Sequence, residues 1–223
     1  MKSPPPALLI FDLDGTLIDS VGDLCAALNA LLAELGREPL AQDEVRPMIG
    51  DGVGVLVERG LAARPGAPVD HGAAVARFLE IYRADPARFT ILYPDVADTL
   101  DRLAQAGFRL ALCTNKPEAI TRVVIDALGL DGYFRRIVGG DTLPWRKPDP
   151  RGLTKILEDE GTAPAQAWFV GDSEVDAAAA AAAGVPFVLM TYGYHRNPVE
   201  TIACIAALDR FAALIPLATP AAG

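Results

Sequence analysis

Cysteine and positive charge are both in short supply in this chain, and long apolar runs are missing. Its three cysteines, Cys25, Cys113 and Cys204, lie far apart and show no CxxC pairing. A zinc centre or a disulfide framework is therefore not expected, and reduced thiols are. No segment approaches the ~20 consecutive apolar residues of a membrane span. The N-terminal stretch MKSPPPALLIFD has one lysine and a proline run, and it meets Asp12 too early for a signal peptide. A cytoplasmic protein that engages no membrane is expected. Lys and Arg number 20 against 29 Asp and Glu, a net charge of −9. That balance excludes nucleic-acid binding through a general basic surface. An anionic ligand would need positive partners that are local or supplied by a metal. What the chain does have is size and apolar content: 223 residues, 51% of them hydrophobic and 22% charged. These suit a globular core with room for a smaller companion domain.

The pattern changes twice along the chain. LLIF (8–11) reads as a short buried strand. DSVGDLCAALNALLAELG follows, with Val21, Leu24, Cys25, Leu28, Leu31, Leu32 and Leu35 at helical spacing. Asp19 or Ser20 is its expected N-cap and Gly36 its stop. Two further helical stretches, 53–62 and 71–85, make residues 20–88 mainly helical. After Tyr93-Pro94 helices and strands alternate: helices at 97–107, 118–130, 150–161 and 174–184, strands at 108–115, 134–141, 167–172 and 185–193. A final helix is expected from about Pro198. Such alternation predicts an α/β fold, a doubly wound, Rossmann-like parallel sheet with helices on both faces. The predicted core comprises residues 1–17 and 89–223, and an inserted α-helical bundle, 18–88, forms a cap domain. The alanine run 177–183 suits a helix that packs close to a sheet, with Gly184 as its C-terminal stop.

Ligands bind at the carboxyl ends of strands in such a sheet. The first strand ends on Asp12 and Asp14, which lie two apart and so share a side. Carboxylates that close repel and raise each other's pKa, so a compensating partner is required. The second strand ends at Thr114-Asn115 and the fourth at Gly171-Asp172-Ser173, with Asp176 just beyond. Lys147 lies in the loop DTLPWRKPDP after the third. Asp12, Asp14 and Asp172 form an oxygen-rich set suited to Mg²⁺. Thr114, Asn115 and Lys116, with Lys147, form a candidate phosphate-binding group at a helix start. The chemistry that fits is phosphoryl transfer. Hydrolysis of a phosphate monoester demands up to ~10²¹-fold acceleration, roughly 28 kcal/mol, so nucleophile, metal, acid and lid must act together.

DLDGT (12–16), TN (114–115), Lys147-Pro148 and GDSEVD (171–176) resemble, in order and spacing, the four motifs of the haloacid dehalogenase superfamily. The resemblance spans almost the whole chain. It implies Asp12 as phosphoryl-accepting nucleophile and Asp14 as acid/base that also lends a backbone carbonyl to Mg²⁺. It implies Asp172 as a metal ligand and Asp176 as the group that positions Lys147 or a metal-bound water. Gly15 and Ser173 are supporting positions, and the helical insert matches the family's cap. Longer stretches, including DLDGTLIDSVGDL, IGDGVGVLVERGL, CTNKP and MTYGYHRNP, look like bacterial phosphoglycolate phosphatases. The implied activity is hydrolysis of 2-phosphoglycolate to glycolate and phosphate through an aspartyl phosphate, in a monomer or homodimer.

Lys116, Arg46 and Arg59 are candidates for the substrate's carboxylate, with Lys116 best placed beside the core motif. His195 reads as an ordinary loop histidine. Gly50, Gly52 and Gly54 follow no strand and lack a Lys-Ser/Thr ending, so they read as a bend in the cap. Leu24, Leu28, Leu31 and Leu35 read as packing. Phosphatases of sugar phosphates or pyrophosphate share this vocabulary, and a sugar phosphomutase would keep Asp14. A haloalkanoate dehalogenase would lack Asp14. A phospho-receiver module would lack the insert of about seventy residues.

Overall fold

The computed structural model describes residues 6–219. Residues 1–5, with most of the proline run, and 220–223 lie outside it. In chain order the elements are β1 (Leu8–Phe11), β2 (Ile18–Asp19), α1 (Val21–Glu34), α2 (Gln42–Val45), α3 (Val53–Ala63) and α4 (His71–Ala84). β3 (Ile91–Leu92), α5 (Val96–Gln105), β4 (Arg109–Cys113), α6 (Glu118–Ala127) and β5 (Arg136–Val138) follow. The chain closes with α7 (Arg151–Asp159), β6 (Ala167–Gly171), α8 (Glu174–Ala183), β7 (Phe187–Met190), β8 (Ala206–Leu208) and α9 (Leu214–Ala218).

Six strands form one parallel sheet in the order β5-β4-β1-β6-β7-β8. All four residues of β1 are fully buried, as expected of a strand covered on both faces. Alternation along the strand sorts them. Leu8 and Ile10 pack with Leu153 and Ile156 of α7 and Ala179 and Ala180 of α8. Leu9 and Phe11 pack with Leu100 and Leu103 of α5 and Ile120 and Val124 of α6. Each such Leu, Ile or Phe contributes about 1.5–3 kcal/mol through burial. The fold is thus doubly wound, as the alternation predicted. The alanine run is α8; Ala179 and Ala180 lie against the sheet with no exposure, and Gly184 ends the helix at φ +69°.

Helices α1–α4 lie between β2 and β3, two short strands that pair antiparallel, Ile18 with Leu92 and Asp19 with Ile91. Both connections to the helical insert thus run through one ribbon. Buried Asp23 of α1 reinforces it by accepting hydrogen bonds from Phe89 N (3.0 Å), Thr90 N (2.8 Å) and Thr90 Oγ1 (2.5 Å).

One expectation needs correction. The segment after Pro198 is not a continuous helix. A single turn at Val199–Thr201 gives way to β8, and only Leu214–Ala218 is helical thereafter. Ala206-Ala207-Leu208 carries no period of its own, and pairing with β7 decides its conformation. At the α1 start Ser20 is the N-cap residue, as expected, though its own side chain makes no cap bond, and Val21 N donates to Asp19 Oδ1 at 3.2 Å. Ser20 N and Val21 N also donate to the Tyr194 hydroxyl at 2.8 and 3.2 Å.

Candidate active site

The three central strands β4, β1 and β6 end side by side, which brings Thr114, Asp12 and Asp172 to one edge of the sheet. Asp12, Asp172 and Asp176 are all buried, and one carboxylate oxygen from each lies within 4.8 Å of the others. Burial pushes the Asp12 carboxyl up to about 7; Asp176 and Asp14 add repulsion, and Lys147 pulls the other way. Burial, then Asp176 and Asp12, raises the Asp172 carboxyl well above its ordinary value.

Lys147 Nζ lies 2.8 Å from Asp12 Oδ1 and 2.6 Å from Asp176 Oδ1. The first contact is close as an ion pair yet poorly directed as a hydrogen bond, so Asp12 Oδ1 retains unused accepting capacity. Asp176 has less to spare. Its Oδ2 accepts from Ser173 Oγ (2.6 Å), Ser173 N (3.1 Å) and Asp172 N (3.2 Å), and its own N–H bonds back to the Ser173 hydroxyl. This reciprocal cap of α8 fixes Asp176, and Asp176 in turn fixes the ammonium.

Asp172 Oδ1 accepts from the Thr16 hydroxyl (2.8 Å) and Oδ2 from Tyr194 N (2.6 Å). Gly15 runs against the same carboxylate at φ +92°, and a Cβ there would overlap Asp172. The turn after β1 therefore needs glycine for both conformation and space. Asp14 has partners of its own: its Oδ1 accepts from Ser20 Oγ (2.6 Å) and Lys116 Nζ (2.7 Å).

Asn115 is fully committed. Its Nδ2 donates to Gly50 O (2.8 Å) and Lys147 O (3.0 Å), and its Oδ1 accepts from Lys147 N (2.9 Å). Thr114 Oγ1 accepts from Lys116 N at 3.2 Å, leaving the hydroxyl proton available. Asp12, Asp14, Thr114, Asn115 and Lys116 line a cavity of about 430 Å³, counted with its opening to solvent. The opposite wall comes from the helical insert: Leu24, Ile49, Gly50, Gly52, Val53, Leu56 and Tyr82.

The remaining candidates fall elsewhere. Arg59 pairs with Asp51 (2.6 Å) and Met48 O (3.0 Å), and Arg46 pairs with Asp19 (3.4 Å) above the Tyr194 ring. Neither lines the cavity. His195 bonds the backbone carbonyls of Asn197 and Thr191. The glycine bend does lie in the insert, and it also borders the cavity, as does Leu24, which the helical spacing marked only as packing. Tyr82 carried no signal in sequence; only the path of α4 brings it there.

Residues 9–190 match the family of haloacid dehalogenase-like hydrolases. The chain belongs to that family. Among related haloacid dehalogenase-like hydrolases, a phosphoglycolate phosphatase of Pseudomonas putida is 46% identical over 98% of this chain and 82% of its own. One from Rhodospirillum rubrum is 45% identical over 94% and 89%. The crystal structure of a predicted phosphoglycolate phosphatase from Haemophilus somnus superimposes with a TM-score of 0.90 at 32% identity, covering 96% of this chain and 98% of that one. CbbY from Rhodobacter sphaeroides, in complex with phosphate, gives 0.80 at 25% over 94% and 96%. No helix among the described residues is long and apolar enough to cross a membrane.

The donor set of this hydrolase fits a divalent cation. Among the described residues, the cations that pair with the group of Asp12, Asp14, Asp172 and Asp176 are Lys116 and Lys147. Two negative charges are left over in a buried site, one divalent ion's worth. Oxygen-only ligands at such a site suit a hard cation.

Proposed function

We propose that this hydrolase is a Mg²⁺-dependent phosphatase that cleaves 2-phosphoglycolate to glycolate and inorganic phosphate. The observation that carries the reading is Lys147 Nζ set between Asp12 and Asp176 inside a buried carboxylate cluster. The relatives' names supply the substrate. In this reading residues 18–88 form the cap domain, over a core of residues 1–17 and 89–223. The enzyme works in the cytoplasm as a monomer or homodimer.

Asp12 attacks phosphorus, the bond to the leaving oxygen breaks, and an aspartyl phosphate forms. Asp14, from its Oδ2, passes a proton to the leaving oxygen. Water then attacks the aspartyl phosphate, Asp14 takes a proton from it, and the Asp12–phosphorus bond breaks to regenerate the free carboxylate. Mg²⁺ would be held by Asp12 and Asp172 with the backbone carbonyl of Asp14, and it supplies positive charge to the phosphoryl oxygens. Thr114 donates its hydroxyl to a phosphoryl oxygen, and so does the backbone N–H of Asn115. Lys147 favours the ionised form of Asp12 against the effect of burial and adds a fixed charge beside the phosphoryl group. The Asn115 side chain, whose hydrogen bonds all go to backbone, positions Lys147 rather than substrate.

The test is phosphate release, with and without Mg²⁺, from 2-phosphoglycolate, hexose phosphates, pyrophosphate, a nucleoside monophosphate and an aryl phosphate. A Mg²⁺-dependent kcat/KM for 2-phosphoglycolate decades above the others is expected. A flat profile or another favourite overturns the substrate. Turnover that persists in excess chelator overturns the metal.

A further inference from the structure

Tyr82 sits on α4, in the helical insert, with its ring packed 5.8 Å from that of Phe78 and only 1% of the residue exposed. Its hydroxyl is buried and makes no well-directed hydrogen bond among the described residues, with Lys116 the hydrogen-bonding group beside it. Native proteins rarely leave a buried polar atom without a well-directed partner, and one that borders a cavity can meet a molecule held there. The cavity it lines is the one closed at its far end by Asp12, Thr114 and Asn115. Burial pushes the phenol up to about 12, and after burial the groups that act on it most are Lys116 and Asp14, the two charges in that cavity. The hydroxyl thus remains protonated and can donate.

Lys116 Nζ lies 5.0 Å from the Tyr82 ring centroid and 2.7 Å from Asp14 Oδ1. The ammonium carries three protons, of which Asp14 takes one. Around these groups the wall is apolar or bare backbone: Leu24, Ile49, Val53 and Leu56, with Gly50 and Gly52. A polyhydroxylated leaving group would find few partners against that wall. A short anionic one would find two donors, one charged and one neutral, beside the proton-transferring Asp14.

We propose that Tyr82 is a specificity-determining residue whose hydroxyl donates to the carboxylate of a short phosphorylated acid, alongside Lys116. This inference rests on the phosphoglycolate phosphatase reading and gives that reading its leaving-group contact. The donation joins a neutral donor to a full negative charge, the stronger kind of hydrogen bond. The hydroxyl comes from the wall that the helical insert contributes, whereas Lys116 comes from the core, so the two donors approach from different elements.

The experiment compares 2-phosphoglycolate with ethyl phosphate, which keeps the two-carbon leaving group but lacks the carboxylate, in the wild-type enzyme and in Tyr82→Phe, all with saturating Mg²⁺. The expected result is a roughly ten- to hundredfold fall in kcat/KM on 2-phosphoglycolate, expressed mainly in KM. Ethyl phosphate should lose less than about threefold, so the ratio between the substrates contracts. The melting temperature without substrate should change little, because the deleted hydroxyl makes no well-directed hydrogen bond among the described residues. An unchanged ratio in Tyr82→Phe, with the wild type still preferring 2-phosphoglycolate, overturns this inference and leaves the reading intact. Equal losses on both substrates, or a lowered melting temperature, assign the hydroxyl to the fold and also overturn it. A wild type with no preference between the two overturns the reading and the inference together.

Discussion

At Lys147 one ammonium separates two buried carboxylates, and the local chemistry follows from that placement. Lys147→Met should abolish turnover and destabilise the fold by about 3–5 kcal/mol, the cost of stranding a buried charge. Denaturant titration measures it, and Lys147→Met with Asp176→Asn should recover part of the loss by removing one stranded charge. Asp12→Asn should cut kcat by roughly 10⁴–10⁶-fold, the scale seen when a nucleophile is deleted, while leaving the thermal transition near or above the wild type's. Neutralising one of the crowded carboxylates relieves repulsion in the absence of metal. This level was the most legible in sequence. Asp12, Thr114, Lys147 and Asp172 each follow a strand, and strand ends can be read from apolar runs that stop on polar residues. What Asn115 and Lys116 do with their side chains could not be read. Asn115 bonds Gly50, and Lys116 bonds Asp14, and these pairings depend on how distant loops meet. Tyr82 was silent for the same reason.

Among the elements, the ribbon of β2 and β3 carries both chains into the helical insert, and Asp23 fastens it. Asp23→Ala strands two backbone N–H groups of residues 89 and 90 and should cost about 2–4 kcal/mol by denaturant titration. Asp23→Asn, which keeps one accepting oxygen, should cost less. The helices were plain in sequence because their apolar periods are long. Two-residue strands are too short to show any alternation, so the ribbon was invisible, and β8 was mistaken for helix. Its alanines favour helix locally, and only the free edge of β7 outweighs them.

Across the whole molecule, insert and core are tied on the outside by Arg196. From the loop after β7 it bonds Asp51 of the insert and Glu174 at the start of α8 (2.7 Å). Burial alone would raise the Asp51 carboxyl, but hydrogen bonds from Arg196 and Arg59 outweigh it and hold the group below its ordinary value. Burial alone would likewise raise the Glu174 carboxyl, but hydrogen bonds it accepts from backbone N–H groups, and the Arg196 charge, outweigh it and hold the group below its ordinary value. Depressed carboxyls contribute stability above their unfolded pKa and lose it as pH falls through the folded values. Arg196→Ala should therefore destabilise by about 1 kcal/mol at pH 7, and its difference from wild type should shrink as pH falls below the ordinary carboxylate range and through the lowered folded values, as pH-dependent melts would record. Sequence placed the helical insert correctly after the first strand, yet nothing near positions 51, 174 or 196 announced that they meet.

The carboxamide of Asn115 has a consequence of its own. One of its two protons goes to a carbonyl of the insert, Gly50, and its other two contacts go to the peptide of Lys147. The insert and the loop that carries Lys147 are thus joined through two atoms of one side chain, Nδ2 and Oδ1. In the proposed reading of the insert as a cap, any displacement of it would cost this amide a partner and with it part of its grip on that loop. The ammonium proposed to serve the nucleophile would then be set most firmly with the insert in place, so that enclosing a substrate and completing the site would be one event.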